Sequence, residues 1–295
     1  MTKLGFVGAG QVGATAAFSC LHQLDVDEIA IVDIQEDLAE GQSLDLAAAA
    51  AGLGEVPEVN AGGDYELLDG ADVVVSTAGS PRKPGMDRLD LLEKNVGITR
   101  NVVEDTFAHA PGAHLLMVAN PVDVLTYAAW TISDLPRNRV FGMGSWHDSL
   151  RLRFVLSDEG YGTDAFMLGE HGESMLVAKS AADVGDTEPD WADIQDKICG
   201  LAMNIIEKKD YTNWAPGVAT ANMVKAIVEN EKRVLPTSTV LQGEYGIEGA
   251  SLGVPAVLGQ NGLERVLEYD LADEDRQQLQ DSADKLKKQI GELDL

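Results

Sequence analysis

The chain has 295 residues, with 49 Asp and Glu against 22 Lys and Arg, a formal charge of −27 at pH 7, 45% hydrophobic residues and 30 glycines. A surface this negative repels phosphate backbones and anionic membranes, which excludes most nucleic-acid and membrane-surface functions. The apolar content is too high for a disordered acidic tail, and the length favours two domains that share a cleft.

Short apolar runs at 4–7, 28–32, 72–76, 114–118 and 139–141 read as buried strands, with helix-period segments between most of them. This is the βαβ alternation of an α/β doubly wound parallel sheet. The alanines at 47–51 extend a helix whose small side chains allow another surface, such as a second subunit, to approach closely. Beyond about residue 144 the pattern changes to longer helical segments at 191–209 and 218–229, a strand-like run at 237–241 and a turn at 243–246. Residues 270–295 are highly charged but keep Leu271, Leu279, Leu286 and Ile290 apolar, as in a surface helix packed by one stripe. The expected organisation is a dinucleotide-binding domain over 1–143 followed by a mixed α+β catalytic domain over 144–295.

No apolar run approaches the roughly 20 residues needed to cross a bilayer. The first residues lead straight into a strand without the regions of a signal peptide, so a cytoplasmic protein is expected. Cys20 and Cys199 are too few for a disulfide framework and lack metal-ligand spacing; both are expected as small buried residues. Carboxylates spread along the whole chain keep a protein hydrated but self-repelling unless counterions screen them. The expected setting is concentrated salt.

Three groups of residues carry chemistry. Gly8-Ala9-Gly10-Gln11-Val12-Gly13 is a GxGxxG between a strand and a helix. In that context Gly8 permits the turn, Gly10 admits a pyrophosphate and Gly13 lets helix pack on strand, as in a Rossmann-type fold. Asp33 lies 20 residues after Gly13, at the end of the second strand, where a carboxylate accepts hydrogen bonds from an adenosine ribose and repels a 2′-phosphate. NAD is therefore expected over NADP. Arg82 and Arg88 lie in a Pro- and Gly-containing loop after the run at 72–76, read as the third strand, where two scarce cations can face an anionic substrate. Asn120 at a strand end, Asp148 and Arg151 at i, i+3, and His171 between glycines complete the set.

Together these motifs resemble the lactate/malate dehydrogenase family, from the GxGxxG through Asn120-Pro121-Val122-Asp123 and Gly169-Glu170-His171-Gly172 to Gly253-Val254-Pro255-Ala256-Val257-Leu258-Gly259. The resemblance implies that His171 and Asp148 form a proton relay, that Arg151 clamps the substrate C1 carboxylate, and that Arg88 polarises the carbonyl from a closing loop over 80–91. Asn120 is implied to hold the reacting oxygen. The cofactor is implied to lie along Gly8, Gly10, Gln11, Val12, Gly13, Asp33, Ala78, Gly79, Asn95, Val118 and Asn120, with no metal.

Arg82 falls at the family's discriminating position, where arginine goes with oxaloacetate/malate and glutamine with pyruvate/lactate; a second substrate carboxylate needs a cation there. Pro216 points the same way, whereas Glu170 and residues 120–127 look more like lactate dehydrogenases. Oxaloacetate/malate is expected, with pyruvate/lactate as the alternative and a non-catalytic NAD-binding sensor as the rival of a different class. The resemblance also implies a homo-oligomer, a dimer or a tetramer formed from two dimers; a homotetramer is expected, and the acidic surface adds the expectation of chloride or cations between subunits. Trp146-His147, Glu173 and Asp210 depart from the family pattern; His147 could compete for Asp148 but is expected as a packed neighbour, because adjacent residues on a helix point in different directions.

Overall fold

The computed structural model describes residues 1–81, 89–172, 174–293 and 295, together with the backbone of Arg88. The first half runs β1 (Lys3–Val7), α1 (Gln11–Gln23), β2 (Glu28–Val32), α2 (Glu36–Leu53), β3 (Glu58–Gly62), β4 (Val73–Ser76), α3 (Arg88–His109), β5 (His114–Met117), α4 (Val122–Ser133) and β6 (Val140–Gly142). These six strands are parallel in the order β3-β2-β1-β4-β5-β6. The order reverses between β1 and β4, and the crevice above that reversal is where such sheets bind ligands.

Alternation along each strand explains the two layers. Leu4, Phe6, Ile29 and Ile31 pack with α1, α2 and the later helix α7 (Trp214–Val228), whereas Val7, Ala30 and Val32 pack with α3, α4 and the last helix, α8 (Asp273–Ile290). Both faces are covered, so the strands are apolar on both sides rather than half polar. A third, smaller core joins α5 (Ser145–Asp158) and α6 (Trp191–Lys209) to the hairpin of β7 (Met167–Leu168) and β8 (Leu176–Val177).

The structure adds a strand that the apolar runs do not show. β3, with sequence EVNAG, is a half-exposed edge strand, so it needs no continuous apolar run. The segment with Arg82 therefore follows the fourth strand in chain order and Arg88 opens α3, not the loop expected for it, while Asn120 follows the fifth strand. In the second half β9 (Arg233–Gln242), β10 (Glu248–Gly259) and β11 (Gly262–Val266) extend the same sheet antiparallel, joined to β6 through Gly142 and Ser238. Glycines and Pro255 mask β10 as a strand in the sequence.

Cys199 is exposed, contrary to expectation, because it lies one residue beyond buried Ile198 and so turns off the packed face of α6; Cys20 is buried. The alanine run forms the end of α2, where Ala50 is buried and Ala47 and Ala48 are exposed. Leu279 and Leu286 anchor α8 as the stripe implies. No helix among the described residues is long and apolar enough to cross a membrane.

The hairpin strand β10 also fixes the segment that carries His171. Gly169 and Gly253 exchange backbone hydrogen bonds of 2.9 and 3.0 Å. A side chain on Gly253 would run into Ser145 and crowd the Gly169 carbonyl. Gly253→Ala should therefore cost about 1–3 kcal/mol, read as a lower midpoint in denaturant unfolding; an unchanged midpoint would show that the segment yields freely.

Candidate active site

The cleft lies over the carboxyl ends of the parallel strands, with a volume of about 660 Å³, and it is lined from one side by Gly10 to Gly13, Thr77 and Gly79 and from the other by Arg151 and His171. Its floor is built first by the turn after β1. Gly8 adopts φ 110°, and a Cβ on Gly13 would overlap the Gly8 carbonyl, so the close passage of α1 over β1 requires glycine at both places. Gly10 caps α1 without a side-chain partner, the first turn carries no acid, and a Cβ on Gly10 would meet only open space. Unsatisfied helix N–H groups facing an open cradle fit a pyrophosphate.

Asp33 stands beside this turn. Its oxygens accept from Ala9 N–H at 2.7 Å and Gln35 N–H at 2.8 Å, which locks the turn to the end of β2 and leaves lone pairs for a diol. Gly10, Gln11, Val12, Gly13, Gly79, Val118 and Asn120 line the cleft, whereas Gly8, Asp33, Ala78 and Asn95 lie beside or behind it. Asn95 is 2% exposed and spends its amide on the backbone: Oδ1 accepts from Ser80 N–H at 2.7 Å, and Nδ2 donates to the carbonyls of Ser80 and Asn120, each at 3.3 Å. It ties two cleft loops together. Asn120 accepts from Val122 N–H at 3.3 Å through Oδ1, which leaves its Nδ2 as a donor.

At the far wall, α5 follows directly after β6 and brings Asp148 and Arg151 onto one buried face, 1% and 9% exposed. Asp148 Oδ2 meets His171 Nδ1 at 2.6 Å, and Oδ1 accepts from Arg151 Nη1 at 3.2 Å. Burial, the largest influence on His171, opposes the imidazolium; the charge and hydrogen bond of Asp148, with Asp123 behind, outweigh it and raise the pKa. Burial likewise opposes ionised Asp148, but His171 and Arg151 hold its carboxyl below the ordinary value. With Nδ1 engaged, Nε2 is the nitrogen left to exchange a proton with a ligand.

Arg151 Nε is buried without a hydrogen-bond partner, although the residue lines the cleft beside His171. A cation with an orphaned donor at a cleft wall suits an anionic ligand, because leaving it unpaired costs free energy. Arg82 lies outside the described residues, as do residues 83–87 of the 80–91 segment, the side chain of Arg88 and Glu173.

His147 does not compete for Asp148. It is 3% exposed, its ring centroid lies 5.8 Å from that of His171, and burial pushes its pKa down to about 3, so it stays neutral. His147, Asp148 and His171 place three ligating atoms within 4.8 Å, but both Asp148 oxygens are engaged and the neighbouring guanidinium disfavours a cation. Asp210 ends α6 at φ 66°, a conformation glycine adopts without strain.

Asp123, beside Asn120 in the same motif, has no role legible in the sequence alone. Its carboxylate accepts from His171 backbone N–H at 2.7 Å and from Ser238 Oγ at 2.6 Å. An acid among the buried apolar residues of α4 was the available signal. Glu170, 7% exposed, is a second support: it accepts from Ser174 Oγ and pairs with Lys285 of α8 at 2.7 Å, linking the last helix to the residue before His171.

A dinucleotide cradle opening onto a buried Asp-His pair and an anion-seeking arginine defines a nucleotide-dependent oxidoreductase. The comparisons agree with that class. The lactate/malate dehydrogenase NAD binding domain matches residues 2–142, and the lactate/malate dehydrogenase alpha/beta C-terminal domain matches residues 148–294. A malate dehydrogenase of Archaeoglobus fulgidus is 50% identical over 99% of both chains, and an L-lactate dehydrogenase of Lactobacillus helveticus is 39% identical over 97% of this chain and 93% of that one. The structure of the Archaeoglobus fulgidus malate dehydrogenase in complex with NADH superposes with a TM-score of 0.95 at 49% identity, over 99% of each chain. The chain belongs to the lactate/malate dehydrogenase family.

Asp148→Asn tests the electrostatics of the site. Without the carboxylate the imidazolium loses its main support, so the His171 pKa falls and its titration by NMR moves to lower pH. Dehydrogenase turnover should drop about 10²- to 10⁴-fold. An unmoved His171 titration would contradict this reading.

Proposed function

We propose that the protein is an NAD-dependent malate dehydrogenase, interconverting oxaloacetate and (S)-malate. The observation that carries this is the orphaned Arg151 Nε beside the His171-Asp148 pair, in a cleft continuous with the dinucleotide cradle. NADH bound along the glycine turn supplies the hydride. His171 donates the proton from Nε2 to the carbonyl oxygen in reduction and removes it from the hydroxyl in oxidation, with Asp148 stabilising the imidazolium. Arg151 grips the C1 carboxylate, and Asn120 Nδ2 donates to the reacting oxygen. Arg88 polarises the carbonyl and Arg82 meets the second carboxylate. In this reading residues 1–143 hold the cofactor and residues 144–295 supply the relay and the clamp.

Choice of dicarboxylate over monocarboxylate is supported by the arginine at 82 and by the 50% identity to a malate dehydrogenase. Comparing oxaloacetate and pyruvate reduction with NADH tests it, for the wild type and Arg82→Gln. The wild type should favour oxaloacetate at least about a hundredfold, and the variant should shift toward pyruvate. A wild type that prefers pyruvate would overturn the assignment.

We further propose a cytoplasmic homotetramer, a dimer of dimers, adapted to concentrated salt and binding chloride or cations between its acidic subunits. The two free cysteines favour a reducing compartment. Exposed Phe18 and Trp214, 40% and 66% accessible, line a groove of about 410 Å³ along α1, α2 and α7, which offers a surface for a second copy. Sedimentation in multimolar KCl should give a tetramer that loosens, and a chain that loses thermal stability, as salt is withdrawn. Monomers in high KCl, or stability indifferent to salt, would refute the proposal.

A further inference from the structure

Asp123 is a buried carboxylate that the relay does not use, 2% exposed in the first turn of α4. Each oxygen is held by a rigid element. Oδ2 accepts the His171 backbone N–H at 2.7 Å, and Oδ1 accepts the Ser238 hydroxyl of β9 at 2.6 Å; Ser238 in turn meets Ser251 Oγ of β10 at 3.0 Å.

A purely structural tie does not need the charge. Asparagine has the same shape: its Oδ1 could accept from His171, and its Nδ2 could donate to Ser238, whose hydroxyl could turn to Ser251. Ionised aspartate is the more costly choice at a buried position. What it adds is a negative charge held against the His171 backbone, where it favours the imidazolium.

We propose that Asp123 is a positioning residue acting through His171: its carboxylate fixes the His171 backbone against the sheet, and its charge favours the protonated imidazole that delivers the proton. This rests on His171 being the proton donor. Among the described residues, the charged and titratable groups around the pair are Asp148, Arg151 and neutral His147 on α5, Glu170 beside His171, and Lys285 of α8, which pairs with Glu170. Arg151 opposes the imidazolium. Burial, with Glu170 adding to it, pushes Asp123 up to about 6 against the pull of its two hydrogen bonds. Asp123 is therefore charged at neutral pH and above, and its support for His171 is lost as pH falls through that value.

The test uses the full chain with bound NAD, comparing wild type, Asp123→Asn, Ser238→Ala and His171→Asn. Two readouts are taken: the NMR titration of the His171 imidazole, identified by its loss in His171→Asn, and the pH dependence of kcat and KM for oxaloacetate reduction. Asp123→Asn should move the His171 titration to lower pH and reduce kcat several-fold above neutrality, with KM changed less than about threefold. Ser238→Ala removes one donor from the carboxylate and so weakens its ionisation; it should move the titration the same way by less, which keeps the test available if Asp123→Asn does not fold. An unmoved titration in the folded variants would overturn the proposal and leave Asp123 a structural tie. Retention of hydride transfer by His171→Asn would instead overturn the functional reading.

Discussion

The 2.6 Å hydrogen bond between Asp148 Oδ2 and His171 Nδ1 is the interaction on which the rest depends. Both groups are withdrawn from water, and burial alone would neutralise each of them. Their pairing is the main support that keeps an imidazolium available at the cleft wall, with Asp123 adding to it. The sheet supplies the geometry. β6 delivers α5 with Asp148 and Arg151, while β10 holds the His171 segment through Gly253 and Gly169. The antiparallel strands of the second half are therefore part of the site, because they complete the same sheet that carries the dinucleotide cradle.

Net charge and local charge work in opposite senses in this chain. An overall charge of −27 opposes the approach of a dicarboxylate, yet the cleft presents a buried guanidinium with an unpaired donor. At ordinary ionic strength the long-range repulsion is screened beyond about 10 Å, so the short-range hydrogen bonds decide binding. High salt would extend that screening while leaving buried pairs such as Asp148 and Arg151 largely intact.

Features set by backbone chemistry were readable from the sequence. The glycine turn and the acid at the end of β2 each require a particular residue type, so their identity carries their role; the relay residues were legible only through the family resemblance, because a lone histidine between glycines and an acid-arginine pair at i, i+3 have ordinary structural readings. β3 was not readable because an edge strand can be polar, and β10 was not because glycines and Pro255 break the strand pattern. Exposed Cys199 shows the limit of residue preference, since one step along a helix turns a side chain from core to solvent. Asp123 was hidden for a subtler reason. An acid in a first helical turn reads as a favourable partner of the helix dipole, and only the fold shows that it accepts from the His171 backbone N–H.

The most direct measurement is a crystal structure of the ternary complex with NADH and an unreactive 2-hydroxy dicarboxylate. The account predicts His171 Nε2 within about 2.6–3.2 Å of the ligand's C2 oxygen, the C1 carboxylate on Arg151, and the nicotinamide ring against the same carbon. A ligand whose C2 oxygen lies beyond reach of His171, with Arg151 still unpaired, would contradict it.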